Sequence, residues 1–225
     1  MSQIFISHSQ LDAEIKAFFG DLFGRTNVKA LFVEYERYTT PPWLYIQQEI
    51  ANSAALFVLL GPNVEQLRHT LLWIGSESGA AGPGKEVWVF EHFQHISNVP
   101  VPNVQHYMAY GYGEEYQNYI RAVVESYDDL PVLRAGLDGF WRGAALAASS
   151  LDHPAAQLGG ALVGSVFAMD AASPAKFRPV GATLQCPHQD CRVTFRFHTR
   201  IDVLPCPTCR RPIQVLWPQG EPARP

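Results

Sequence analysis

The sequence predicts an α/β protein: an open, doubly wound parallel sheet of five strands, then a helical hairpin and a small metal-held module. Three observations predict it. Over residues 1–130 short apolar runs alternate with stretches whose apolar residues recur every three or four positions. One run, Ala55–Leu60 (ALFVLL), is apolar throughout, as a central strand covered on both faces should be. And all four cysteines of the chain crowd together near its end.

Taken in order, Ile4–Ser7 is a short apolar strand, and Asp12 is placed to cap a helix carrying Ile15, Phe18, Phe19, Leu22 and Phe23 on one face. Ala30–Val33 is the second strand, and the loop from Glu34 to Pro42 is rich in tyrosine and charge. Pro42 or Trp43 opens a helix with Trp43, Ile46 and Ile50 in register. Ala55–Leu60 ends at Gly61-Pro62, a helix over Val64–Ala81 follows, and Val87–Phe90 and Val104–Tyr110 complete the sheet before a helix over Glu114–Ser126. Strands alternating with helices give a parallel sheet, whose ligands lie beyond the carboxyl ends of the strands at the topological switch point. That places Ser7, His8, Ser9, the Glu34–Pro42 loop and Gly61-Pro62 at the expected crevice. No glycine-rich dinucleotide or phosphate loop follows the first strand, and no aspartate ends the third, which argues against nucleotide-fingerprint and receiver functions.

The 225 residues divide unevenly by charge. Residues 1–130 carry seven Lys/Arg against fifteen Asp/Glu, whereas residues 131–225 carry ten against six. With a net charge of -4, overall basicity cannot drive nucleic-acid binding. The expected organisation is a sheet domain over 1–130, an Ala/Gly-rich helical linker or hairpin over 131–181, a zinc ribbon over 182–217 and a disordered tail over 218–225.

Cys186 and Cys191 form a C-x4-C pair, Cys206 and Cys209 a C-x2-C pair, with fourteen residues between the pairs. Two tight turns facing each other can aim four thiolates at one point and close a tetrahedral structural zinc site. Pro187 and Pro207 follow the first cysteine of each pair, and the intervening VTFRFHTRIDVL alternates as ribbon strands do. A disulfide, a chance cluster, or a three-cysteine site completed by His188 are the alternatives. A module of roughly 36 residues needs such a staple.

The order IFISHSQLD, ALFVEYERYTTPPWLYIQQEIANSAALFVLLGPN, Trp73 to Glu77 and GKEVWVFE resembles a TIR (Toll/interleukin-1 receptor) domain of the bacterial and archaeal type, over residues 1–130 only. The resemblance implies a flavodoxin-like fold, with NAD+ as substrate for an NAD+ glycohydrolase or cyclase that releases nicotinamide and forms ADP-ribose or a cyclic isomer. It makes Glu77 the catalytic carboxylate and Trp73 its neighbour, and it implies prokaryotic immune signalling with self-association through TIR domains. A non-catalytic TIR scaffold and a ribbon-led nucleic-acid binder are the alternative functions. The segment Glu77-Ser-Gly79-Ala-Ala81 also resembles nucleoside deoxyribosyltransferases, again N-glycosidic chemistry. One departure is the loop Thr39-Thr40-Pro41-Pro42, which lacks the family's usual glycine and is stiffened by its prolines.

The residues support that chemistry on their own. Trp73 and Glu77 are four apart and share a helix face. An aromatic plane beside a carboxylate suits a nicotinamide cation, and one fixed carboxylate can stabilise the oxocarbenium charge that develops as it leaves. Ser7 and His8 are read as ligand contacts or as a simple turn, Tyr38 as a lid or as a solvent-facing ring, Trp43 as packing or as a stacking platform. In residues 131–181, Asp138 is placed to cap a helix over Gly139–Ser150, Pro154 to open another to Ala168, and Gly160 and Gly164 form a small-residue face for a helical hairpin, an oligomerisation element or a sensor. Arg192, Arg196, Arg200, Arg210 and Arg211, interleaved with Phe195, Phe197 and Trp217, leave nucleic acid as a possible partner of the ribbon. The N-terminus lacks a signal-peptide pattern, and the longest apolar stretch of the back half, Leu158–Met169, is shorter than the ~20 residues a span needs. The expectation is a cytoplasmic protein with no membrane partner, whose clustered thiols stay reduced.

Overall fold

The computed structural model describes residues 2–33, 43–66, 68–81, 84–128, 181–199 and 201–215, with residues 68–73 described in backbone only. The expected helical hairpin, the loop bearing Tyr38, Arg200, Trp217 and the tail therefore lie outside the described residues.

The chain runs β1 (Gln3–Ser7), α1 (Ala13–Gly24), β2 (Lys29–Phe32), α2 (Trp43–Asn52), β3 (Ala55–Leu60), α3 (Arg68–Ala81), β4 (Glu86–His92), β5 (His106–Tyr110) and α4 (Glu114–Glu125), then β6 (Ala182–Gln185), β7 (Thr194–Phe197), β8 (Val203–Pro205) and β9 (Pro212–Gln214). The first five strands are parallel in the order β2-β1-β3-β4-β5, so the direction of winding reverses between β1 and β3. This is an α/β protein with a mostly parallel central sheet, as the alternating periods predict.

The burial explains the sequence patterns. Every residue of β3 is buried because helices cover both its faces. Ile15, Phe19, Leu22 and Phe23 of α1 and Ile120, Val123 and Val124 of α4 close one core over Ile4, Ile6, Phe57 and Phe90. Ile46 and Ile50 of α2 and Ile74 of α3 close the other over Phe5, Leu56, Val58 and Val89. Lys85 ends α2 by donating to the carbonyls of Ala51 and Ser53, two of the acceptors a helix terminus leaves open.

Four expectations need correction. Among the described residues the sheet has seven strands, not five: β7 pairs in parallel with β5, and β6 pairs antiparallel with β7. Without them β5 would present a row of unpaired backbone groups; instead Arg196 N donates to Gln105 O at 2.7 Å and His198 N to Tyr107 O at 3.1 Å. The strands β6 and β7, expected in a separate ribbon, are thus an extension of the central sheet. A second correction is the start of α3, at Arg68 and not Val64, because Gly61 and Asn63 carbonyls take the amides of Val64 and Gln66 in a turn. Similarly β5 begins at His106, since Gln105 spends its side chain and amide on Val87. Finally, Asp12 stands at the start of α1 but makes no side-chain cap; its carboxylate accepts instead from Asn63, at 3.2 Å from the amide and 2.8 Å from Nδ2.

The segment from β4 to β5 contains no helix, so the sheet lacks the usual cover on the α3 face near β5. Val99, Val101 and Val104 of that loop fill part of the gap. Phe195, Phe197, Leu204 and Ile213 of the ribbon fill the rest. One hydrophobic core therefore runs from α2 through the ribbon.

Candidate functional site

Ser7 closes β1, paired with Val58 of β3, where the winding reverses. Parallel strands end here with backbone groups and side chains facing a crevice. Ser7 is buried, and so are His8 and Ser9 after it. His8 lies edge-on to the Phe32 ring at 5.3 Å. Gly61, at the end of β3, is required by contact: a Cβ there would lie 2.4 Å from the Asp12 carboxyl and 2.5 Å from Ile15.

Glu77 lies on α3 and is 0% exposed. The Ser7 hydroxyl faces it and favours its ionised form, but outside hydrogen-bonding geometry, so neither carboxyl oxygen has a partner among the described residues. Burial pushes the carboxyl from the ordinary 4.5 up to about 8, and the Ser7 hydroxyl offsets only part of that. The next residue is held firmly: Ser78 donates to Ile74 O, and Asn103 Nδ2 donates to Ser78 O at 3.1 Å. A buried carboxyl without donors is costly for folding and is rare without a functional reason.

The structure brings Ser7 and Glu77 together and seats His8 on Phe32. Trp43 opens α2 and packs, partly buried, against the core beside it. Trp73 stands one helical turn before Glu77, its side chain outside the description. Tyr38 lies outside it altogether.

The four cysteines form the second cluster. Their Sγ atoms all lie within 4.8 Å of one another, all are free, and Cys186–Cys209 and Cys191–Cys206 are 3.7 and 3.8 Å apart. The first turn is closed by Cys191 N and Arg192 N on His188 O, the second by Arg210 N on Cys206 O and Cys206 N on Arg211 O. Each pair is followed by an arginine in left-handed backbone, Arg192 at φ 48° and Arg210 at φ 60°. His188 is not a member of the group. Four thiols converging in this way could hold a metal ion.

Sequence reasoning missed the groups that join the ribbon to the sheet. Glu91, near the end of β4, is 0% exposed and fully satisfied. It accepts from Ser97 N at 2.8 Å, Ser97 Oγ at 2.7 Å, Tyr107 Oη at 2.7 Å and Arg210 Nη2 at 2.7 and 2.9 Å. On the opposite face Tyr119 Oη lies 2.8 Å from His198 Nδ1, and His198 Nε2 lies 3.0 Å from His106 Nδ1, with Trp88 stacked on both rings. Burial lowers both histidines, His106 to about 4 and His198 to about 3, so both are neutral at pH 7. A signal was present: a charged residue inside VWVFEH is anomalous in a buried strand and requires a partner.

These contacts redirect the ribbon's nucleic-acid features. Arg210 is buried on Glu91, Arg211 pairs with Asp190, and Phe195 and Phe197 are buried in the core and cannot stack on bases. Among the described residues no helix is long and apolar enough to cross a membrane. The chain matches no protein-family model and no curated protein.

Proposed function

We propose that the protein is a TIR-type NAD+ glycohydrolase or cyclase whose single essential carboxylate is Glu77. The observation that carries this reading is the fully buried, unpartnered Glu77 carboxyl beside Ser7 at the switch point of a parallel sheet. Such a group is a poor structural element and a good reserve for a ligand that brings positive charge. The nicotinamide ring of NAD+ is cationic, so its arrival favours the ionised carboxylate that desolvation otherwise opposes. As the C–N bond to ribose breaks, the ring leaves neutral and positive charge moves onto the ribose, where the Glu77 carboxylate stabilises it. Water, or an atom of the same molecule, then completes the hydrolase or cyclase outcome. The Ser7 hydroxyl orients the carboxyl, and Trp73 is assigned to the ring by resemblance.

In the same reading the cysteine cluster is a structural zinc ribbon, the protein works in the cytoplasm in prokaryotic immune signalling, and TIR domains self-associate. Zinc fits the all-thiol donor set and its convergence. The test is direct: purified protein, alone and artificially clustered, is incubated with NAD+ and nicotinamide release is followed. Wild type should turn over and Glu77→Ala should fall by at least ~100-fold. Equal release from both would overturn the reading. A complex with other TIR domains that survives Glu77→Ala, in the absence of turnover, would favour the scaffold alternative.

A further inference from the structure

We propose that the second cysteine knuckle is a latch on the loop after β4, with Arg210 as the positioning residue that couples the thiol cluster to the carboxyl edge of the sheet. The proposal rests on the metal reading of the cysteines and extends it from holding the ribbon to governing the sheet.

The covalent path is short. Arg210 directly follows Cys209, and its left-handed backbone is one that a non-glycine residue keeps only where its surroundings impose it. The knuckle imposes it through Arg210 N on Cys206 O and Cys206 N on Arg211 O. From that position the guanidinium pins the loop to the end of β4: Nε donates to Ser97 O at 3.0 Å, and Nη2 reaches both Glu91 oxygens. The knuckle backbone adds two bonds to the same loop, Val101 N to Pro207 O at 2.9 Å and Thr208 Oγ1 to Val101 O at 3.2 Å. No helix joins β4 to β5, so this loop has no regular secondary structure of its own to hold it.

The charge pair ties the knuckle to the loop energetically. Glu91 is fully buried, and among its donors only Arg210 carries positive charge. If the knuckle relaxes, Arg210 withdraws, and a buried carboxylate left with neutral donors alone must take up a proton or reach water, either at a cost in stability. Water can reach it only if the loop between Glu91 and Tyr107 opens. The four Sγ atoms lie within 4.8 Å of one another, so an ion held by all four would fasten the knuckle that positions Arg210. Order in residues 92–104 is thereby tied to residues over a hundred positions away.

Hydrogen–deuterium exchange on the full chain tests this, with zinc content measured on the same samples. Zinc-loaded protein should hold one equivalent. Chelation should speed exchange at least tenfold in residues 92–104 as well as in 186–215, leaving β1 and β3 unchanged. In the double variant Glu91→Gln/Arg210→Met, which removes the charge pair and keeps the volume, zinc should still bind, and the loop's response to chelation should fall below twofold. Should that variant not fold, Arg210→Lys, which loses the forked grip, serves with a response midway between the two. Absence of stoichiometric zinc overturns the metal reading and the latch with it. Stoichiometric zinc with an unmoved loop overturns the latch alone, and a full response in the substituted protein overturns the role of Arg210.

Discussion

Glu77 and Glu91 are both fully buried glutamates on the α3 face of one sheet, yet their surroundings differ completely. Glu91 has four donor groups, one of them the Arg210 guanidinium; among the described residues Glu77 has none. Burial alone therefore does not identify a functional carboxylate. The set of partners separates the two, because Glu91 is satisfied by the fold whereas Glu77 is left with hydrogen-bonding capacity that a ligand would have to meet.

Breaking the Glu91 side should have the largest effect on stability. Arg210→Ala strands a buried carboxylate, and denaturant unfolding should show a loss of about 3–5 kcal/mol. The Glu77 side should respond in the opposite direction. Its carboxyl holds a proton up to about pH 8 in the fold, whereas the unfolded chain releases it near 4.5, so the folded state binds more protons and loses stability as pH rises across that window. Glu77→Gln should remove this penalty, a gain on the order of 3 kcal/mol at pH 7 that vanishes below pH 4.5. Thermal melts at several pH values measure it; equal melting curves throughout would show that Glu77 is structural like Glu91. Before substrate binds, the same proton should make kcat/KM rise with pH toward an apparent value near 8.

The histidine pair sharpens the contrast on the ribbon side. His106 and His198 are depressed, so their contribution is full above pH 6.5 and is lost as pH falls toward about 4. Acid titration should weaken the protein by on the order of 2 kcal/mol per histidine at pH 5, and replacing both histidines by phenylalanine should flatten that limb. The smallest effect is at the crevice itself. Gly61→Ala drives a methyl into Asp12 and Ile15 and should cost about 1–2 kcal/mol, read by denaturation.

Much of this was legible from residue order. The wholly apolar ALFVLL could only be a strand covered on both faces, and β3 is that strand. C-x4-C and C-x2-C pairs at that separation made convergence of the thiols a matter of two turns and a spacer, and the four Sγ atoms do converge. Glu77 was picked out by the resemblance to TIR domains, with its spacing from Trp73 in support, although neither told of its burial or its lack of donors. Asp12 shows the limit of local rules: a residue placed to cap a helix was taken by Asn63, fifty-one positions away, because a closer tertiary partner competed with the cap.

The sequence by itself determined the elements and the chemistry available, since hydrophobic period, turn residues and ligand spacing act over a few residues at a time. Only the tertiary structure decided where the ribbon goes. Its strands could have paired with each other alone, but β5 offered an open edge and an uncovered face, and β7 satisfied both. The Arg210–Glu91 pair spans 119 positions and has no local signature, because a salt bridge is specified by distance in space, which folding alone creates.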